Sequence, residues 1–292
     1  MSNELQDDYK KPISNQEMIE LAKKQYQQKK ISDYKFPTEI VSLPSNGLLY
    51  PKDNPLSSGK VEMKYMTAKE EDILTTQSYI KDGTVLDRLF KSLIVGNGEG
   101  VSVKYTDLVV GDKNAIMIAA RILGYGKDYE VEILDPSTGN KQKDVIDLTQ
   151  FENKPYDGSN QIELYKNEFE YTLPHSNRIV TFMSTTEKVE ASIKYQLDVA
   201  EKRNRKKKDN TTTQRTTRLK NTILSVDGEY DKKTISNFVD NELFAMDSKS
   251  LRAHINEVIP DIDLIYEFES EETGERRDIT LPIGITFFWP NS

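Results

Sequence analysis

Two histidines, His175 and His254, are the only imidazoles in the chain, and there is no cysteine. Nucleophilic catalysis needs a base within reach of a nucleophile, and a metal centre needs ligands converging at motif spacing. His175 follows Leu173-Pro174 in a turn, and His254 lies on a predicted helix between Leu251 and Val258. Neither stands in an HxH, HExxH or paired-cysteine context, so both read as structural or surface histidines. Gly96-Asn97-Gly98-Glu99-Gly100 has the composition of a phosphate cradle. A cradle, however, presents backbone N–H groups at a helix start, whereas these glycines follow a helix and precede the strand-like Val101-Ser102-Val103. A plain loop is expected there. No GxSxG elbow occurs, and carboxylates are too scattered to nominate an acid–base pair. The expectation is a non-enzyme, with no catalytic, cofactor-binding or metal-binding residue.

What remains is binding chemistry. The stretch from Lys202 to Lys220 is strongly basic, and Arg205, Lys206, Lys207 and Lys208 are its densest part. They would track phosphates or meet an acidic partner. No aromatic is interleaved to stack bases, and a solvated inserted loop is the plainer reading. The terminal run Leu281-Pro282-Ile283-Gly284-Ile285-Thr286-Phe287-Phe288-Trp289-Pro290 is the most aromatic end of the chain. Two readings stand side by side: a closing strand or tail packed on its own core, or an anchor of Phe287, Phe288 and Trp289 into a partner. At the other end, Ser14 and Glu17 form a capping box, with Ile13 and Met18 placed for a hydrophobic staple. Ile19, Ala22 and Tyr26 continue a narrow apolar stripe to about Lys30. So thin a stripe marks an arm that docks on its own domain or on a neighbouring subunit. Met18, Ile19 and Tyr26 are its candidate partner-binding residues.

The elements that must position these groups follow from composition and periodicity. A length of 292 residues is that of about two ordinary domains. Hydrophobic content is only 36%, yet dense apolar stretches at 84–95, 115–123 and 279–289 argue against global disorder. A net charge of -8 works against non-specific nucleic-acid binding by the whole chain. The absence of cysteine rules out a disulfide framework and fits a reducing cytosol. The polar start, MSNELQDDYKK, is unlike a signal peptide, and no apolar run approaches the roughly 20 residues that span a bilayer.

From residue 43 the predicted order is loop, strand, helices, hairpin. Leu43-Pro44-Ser45-Asn46-Gly47 is a turn; Val61, Met63 and Tyr65 alternate as a half-buried strand. Thr67 and Glu70 form a capping box, Thr84 starts a helix with Leu86, Leu89, Phe90, Leu93 and Ile94 on one face, and Asp112 caps a third over Ala115–Leu123. Gly124 and Gly126 stop it. Tyr129, Val131 and Ile133 alternate into the turn Asp135-Pro136-Ser137-Thr138-Gly139-Asn140, and a strand returns through Val145 and Leu148. The second half repeats this order. Leu173-Pro174 stands for Leu43-Pro44, Val180 and Phe182 for Met63 and Tyr65, and Ser184 with Glu187 for the Thr67–Glu70 box. Arg218-Leu219 stands for Arg88-Leu89, Asp247 for Asp112, Tyr266-Glu267-Phe268 for Val131-Glu132-Ile133, and Thr273-Gly274 for Thr138-Gly139. The expected fold is α+β: two tandem diverged copies of one α/β unit (strand, helices, β-hairpin), with an N-terminal helical arm. Residues 1–40 form the arm, 41–155 the first repeat, and 156–292 the second, with the basic insert near 192–217.

Several of these segments also carry a likeness. Leu43-Pro44-Ser45-Asn46-Gly47, the run Tyr65-Met66-Thr67-Ala68-Lys69-Glu70-Glu71-Asp72-Ile73-Leu74, the run Val109-Val110-Gly111-Asp112-Lys113-Asn114-Ala115-Ile116, and Leu281-Pro282-Ile283 with Phe287-Phe288-Trp289 resemble the T4-type bacteriophage baseplate protein family associated with the baseplate hub. The resemblance implies a non-enzymatic tail protein of a contractile-tailed phage. It would build, or remain in, the baseplate hub through multivalent protein–protein binding, with other baseplate or tail proteins as partners in an oligomeric assembly. It implies the host cytoplasm during assembly and then the virion. Some relatives have cysteine pairs near the hairpin tip; this chain has Asp135-Pro136-Ser137-Thr138-Gly139 there, so no zinc is expected. The alternatives are a nucleic-acid-binding accessory factor using the basic insert, and a tail assembly chaperone absent from the mature virion.

Overall fold

The alternation around Met63 predicts one inward face, and the computed structural model buries Val61 and Met63 completely on strand β2 (Lys60–Lys64). The structure describes residues 37–207, 213–281 and 283–288, with backbone alone at 204–207 and 285. Strand β2 is the middle of a three-stranded antiparallel sheet, between β1 (Thr38–Ser42) and β3 (Ile94–Gly96). Sequence pattern misses both flanking strands, because β1 is an exposed edge and β3 is too short for a period to show. The strand residues lie before the glycine loop, not after it as Val101-Ser102-Val103 suggested. The loop itself is pinned by buried Asn97, whose Oδ1 accepts the N–H groups of Glu99 at 3.0 Å and Val101 at 3.2 Å.

Thr67 opens helix α1 (Ala68–Thr75) with the expected capping box. Its N–H donates to Glu70 at 3.0 Å and its hydroxyl donates to the same carboxylate at 2.5 Å. Glu70 is fully buried, and also accepts from Lys64 Nζ at 2.9 Å and Ser92 Oγ at 2.7 Å. Burial pushes this carboxyl up, but the bonds from Lys64, Ser92 and Thr67 outweigh it and hold the group at about 2, against an ordinary 4.5. A depressed carboxylate stabilises the fold above its ordinary value and stops doing so as pH falls toward the lower one. Wild type should therefore exceed Glu70→Gln in stability by roughly 2–3 kcal/mol near neutral pH, a figure reduced for solvent screening on the lysine side. In urea titrations the gap should close as pH falls through 4.5 toward 2. A gap that does not depend on pH would show that Glu70 is not held ionised.

After α2 (Gln77–Lys81), helix α3 (Val85–Leu93) buries Val85, Leu89, Phe90 and Leu93 on one face. Helix α4 (Val110–Tyr125) is buried on nearly every side over its first turns, as its apolar run predicts. It begins earlier than expected: Val109 is the N-cap, and Asp112 lies inside the first turn. Gly111 is required there, because a Cβ would stand 1.9 Å from the Pro260 carbonyl oxygen. Gly126, at φ +86°, ends the helix as predicted, while Gly124 stays within it. The hairpin β4 (Asp128–Leu134) and β5 (Lys141–Asp147) turns Tyr129, Val131 and Ile133 inward. On its return strand the buried residue is Ile146, not Val145, which is 60% exposed.

The second half begins with β6 (Phe169–Thr172) and β7 (Ile179–Phe182), then the long helix α5 (Glu187–Lys207). The expected Ser184–Glu187 capping box does not form: Glu187 is the first residue of the helix rather than its third, so Ser184 is not the N-cap, and its buried Oγ has no hydrogen-bond partner. Helix α6 (Gln214–Thr222) leads into β8 (Ile223–Val226), which completes an antiparallel sheet in the order β6-β7-β8. Helix α7 (Lys232–Asn237), a π-turn at Phe238–Glu242, helix α8 (Ala245–Val258), and the hairpin β9 (Ile265–Glu269) and β10 (Arg276–Thr280) follow. A final 3-10 turn spans Ile285–Phe288.

Particular bulges, helix ends and turns recur in the two parts of the chain. Each middle strand carries a bulge against its third strand, between Glu62 and Met63 and between Thr181 and Phe182. By this register Met63 corresponds to Phe182, where sequence spacing pairs it with Val180. The C-cap N–H closing α3 bonds to Phe90 and the one closing α6 to Leu219, so Leu219 corresponds to Phe90 rather than to Leu89. The hairpin turns bond alike, Gly139 N–H to the Asp135 carbonyl and Gly274 N–H to the Ser270 carbonyl, each at 2.8 Å. These tips meet each other. Ser270 Oγ donates to Asp135 at 2.5 Å, Ser137 Oγ to Glu275 at 2.7 Å, and Asn140 Nδ2 to Glu272 at 2.8 Å. Ser137 and Glu272 hold the same place in the two turns, as do Asn140 and Glu275, so the last two contacts are exchanged by a local two-fold. The halves are not separate bodies: Thr38–Ser292 is one compact unit, and the boundary near 155 falls in a stretch free of helix and strand.

Candidate interaction surfaces

The carboxylates Asp112 and Asp247 are each fully buried in the first turn of a helix. Asp112 accepts Ser45 N–H at 2.9 Å, Ser45 Oγ at 2.7 Å and Tyr50 OH at 2.5 Å. Asp247 accepts His175 N–H at 2.9 Å and Ser176 N–H at 3.1 Å. Each fastens the Leu-Pro turn of its own half, so the residues predicted as helix caps are turn anchors. Their surroundings set opposite tendencies. Burial raises Asp112 to about 6 despite the bonds from Tyr50 and Ser45, and Asp261 adds to the rise. Burial also raises Asp247, but the bonds from His175 and Ser176 outweigh it and leave the group lowered.

His175 is exposed, and His254 takes a packing role. His254 stacks on Tyr171, ring centres 4.2 Å apart, with Phe182 edge-on at 6.0 Å; burial lowers its pKa and Glu257 opposes the shift. Among the described residues no group of three or more acidic or imidazole side chains is arranged to hold a metal ion.

Of the residues proposed to bind partners, Phe287 and Phe288 are described, and both lie inside their own core. Phe287 is 0% exposed with Tyr129 at 4.9 Å, and Phe288 is 1% exposed with Phe90 at 6.3 Å. Of the two readings of the aromatic tail, the structure has the first: these rings close the first half's core, because Tyr129 and Phe90 offer them an apolar surface. Met18, Ile19, Tyr26 and Trp289 lie outside the described residues. Helix α5 carries the backbone of Arg205, Lys206 and Lys207; Lys208 is outside the described residues. Further along the basic stretch, Arg218 pairs with Glu190 and Lys220 with Asp240, each at 2.6 Å. Those two cations are engaged within the fold.

The structure adds exposed apolar groups that sequence reading passed over. Tyr195 and Val199, one turn apart on α5, are 71% and 47% exposed, and Phe244 and Met246 flank the start of α8 at 59% and 60%. The first pair has a signal in sequence, an i,i+4 spacing; the second has none, because Phe244 is an N-cap residue without a periodic neighbour. Among the described residues no helix is long and apolar enough to cross a membrane.

No curated protein and no solved structure matches this chain. A family match does exist, to the T4 bacteriophage base plate protein, and it runs over residues 40–289. It therefore takes in both sheets, both hairpins and the tail that closes the first core. Spanning nearly the whole of the compact unit, the match makes this chain a member of the T4 bacteriophage base plate protein family.

Proposed function

We propose that the protein is a non-enzymatic component of the baseplate hub of a contractile-tailed phage, acting by binding several tail proteins at once. The observation that carries this reading is the family match across 40–289, which spans nearly all of the compact unit. The recurring order of sheet, helices and hairpin supports a tandem duplication, and two related halves offer neighbouring subunits related faces. Met18, Ile19 and Tyr26 supply the arm's contact. The chain assembles in the host cytoplasm and takes its place in the virion tail.

Two measurements test this. A chain lacking residues 1–35 should co-purify with hub proteins at least about tenfold less well than the full chain, the loss of one apolar docking segment. Equal recovery would end the role of the arm. Mass spectrometry of purified particles should find the protein at a fixed copy number; its absence would make it an assembly factor that departs.

A further inference from the structure

In the first half, the space beside α3 is closed by the chain's own tail, where Phe288 meets Phe90. Among the described residues the second half has no such closure. Counted from the turn glycines Gly139 and Gly274, the places of Phe287 and Phe288 are taken by Glu152 and Asn153, neither of which is buried. That stretch runs along the second half in the same manner, with Lys154 N–H donating to the Asp261 carbonyl at 2.9 Å and Asp263 N–H to the Glu152 carbonyl at 2.8 Å. Its rings, Phe151 and Tyr156, pack on the core and do not line the space between α6 and α8. A cleft of about 580 Å³ between α6 and α8 is the result. That is within the usual span of binding pockets, roughly 300–1,000 Å³.

Matched by strand register and helix caps, the lining shows what changed. Phe90 becomes Leu219, Leu93 becomes Thr222 and Met66 becomes Thr185, each smaller or more polar. Ile255 and Ile259 keep an aliphatic floor, larger there than Ala120 and Gly124. Leu86, Leu89 and Met117 become Arg215, Arg218 and Arg252, so the edge turns basic. Lys154 adds a fourth cation; the carboxylates present are Glu190, paired with Arg218, and Asp261, which accepts from Asn114 Nδ2 at 3.0 Å. Among the described residues Lys154, Arg215 and Arg252 form no salt bridge, although Arg252 Nε donates to the Ser248 carbonyl at 3.1 Å. Ser184 also lines the cleft, and its buried Oγ has no partner. A buried hydroxyl in that state costs free energy until something bonds to it.

We propose that this cleft docks a short segment of a partner protein bearing an aromatic pair beside a carboxylate. The apolar floor takes the rings as the first half takes Phe287 and Phe288, and the cations in excess take the carboxylate. The proposal rests on the reading that the chain works by protein binding, and it names a site distant in sequence from the N-terminal arm.

A fluorescein-labelled peptide, Glu-Ile-Thr-Phe-Phe-Glu, built on residues 285–288, is the probe, titrated with the full-length chain. Saturable binding in the micromolar range is expected, weakened at least about tenfold by Leu219→Trp, which fills the cleft. Because a core substitution also risks the fold, Arg215→Glu and Arg252→Glu are measured beside it, with thermal unfolding to confirm that each is folded. Both should weaken binding at least about tenfold, while Lys69→Glu, exposed on α1 of the first half and outside the cleft lining, leaves it unchanged. The analogue Glu-Ile-Thr-Ala-Ala-Glu should not compete. The proposal is overturned by absence of saturable binding, by equal competition from the alanine analogue, or by displacement with inorganic triphosphate or oligothymidylate as readily as with unlabelled peptide. Either displacement would make the cleft an anion site only. No tail protein takes part, so this result and the hub-association result fail independently.

Discussion

Phe287→Ala should lower the stability of the chain by about 3–5 kcal/mol, the range for removing a large ring from a closed core. Phe287 is 0% exposed, tilted against Tyr129 at 4.9 Å and edge-on to Phe288 at 5.8 Å. Its loss removes buried apolar area and leaves a cavity that the sheet and α3 cannot easily collapse to fill. Urea unfolding measured by circular dichroism checks the size of the effect. Phe288→Ala should fall in the same range, and the double variant should cost less than the two singles added, because the rings touch. The measurement also decides the role of the tail. A variant of unchanged stability that no longer associates with tail proteins would restore these rings as partner anchors and overturn their assignment to the core.

The second large effect concerns Asp112. Its replacement by alanine leaves Ser45 N–H, Ser45 Oγ and Tyr50 OH buried without their acceptor, and should cost about 3 kcal/mol or more. Asp112→Asn keeps one acceptor and carries no charge, so comparing it with wild type isolates ionisation. Burial raises Asp112 to about 6 from an ordinary 3.8. A raised carboxyl contributes stability that is complete below its ordinary value and is lost as pH rises through the higher one. Wild type should therefore lose up to roughly 3 kcal/mol relative to Asp112→Asn between about pH 4 and pH 7. Asp247 is lowered, so its comparison with Asp247→Asn must slope the other way, with wild type gaining as pH rises. Parallel slopes for the two would show that the turns are not held by carboxylates in different states.

That pair of residues also shows how far sequence carries. Asp112 and Asp247 were matched from their spacing, and each lies in the first turn of its helix. What they grip was not legible, since Ser45 and His175 lie far away in the chain. The Thr67–Glu70 box was legible because all its atoms lie within one helical turn. The box at Ser184 was not, because the strand register runs further than spacing suggests and Glu187 is drawn into the helix itself. The family likeness was legible too, in short runs around Pro44, Glu70 and Asp112 that lie within the matched span 40–289.

The sequence by itself determined the order of the main helices and hairpins, the inward faces of β2, α3 and β4, and the turns that close the hairpins. Those properties depend on residues within a few positions of each other, where backbone geometry imposes the period. Only the tertiary structure decided which buried face meets which. An apolar run states that it will leave water, not what will cover it. Hence the aromatic tail, open to two readings at the outset, settles on Tyr129 and Phe90 of the first half. The same placement leaves the second half's cleft uncovered, with Arg215, Arg218 and Arg252 gathered at its edge from two helices that sequence alone does not bring together.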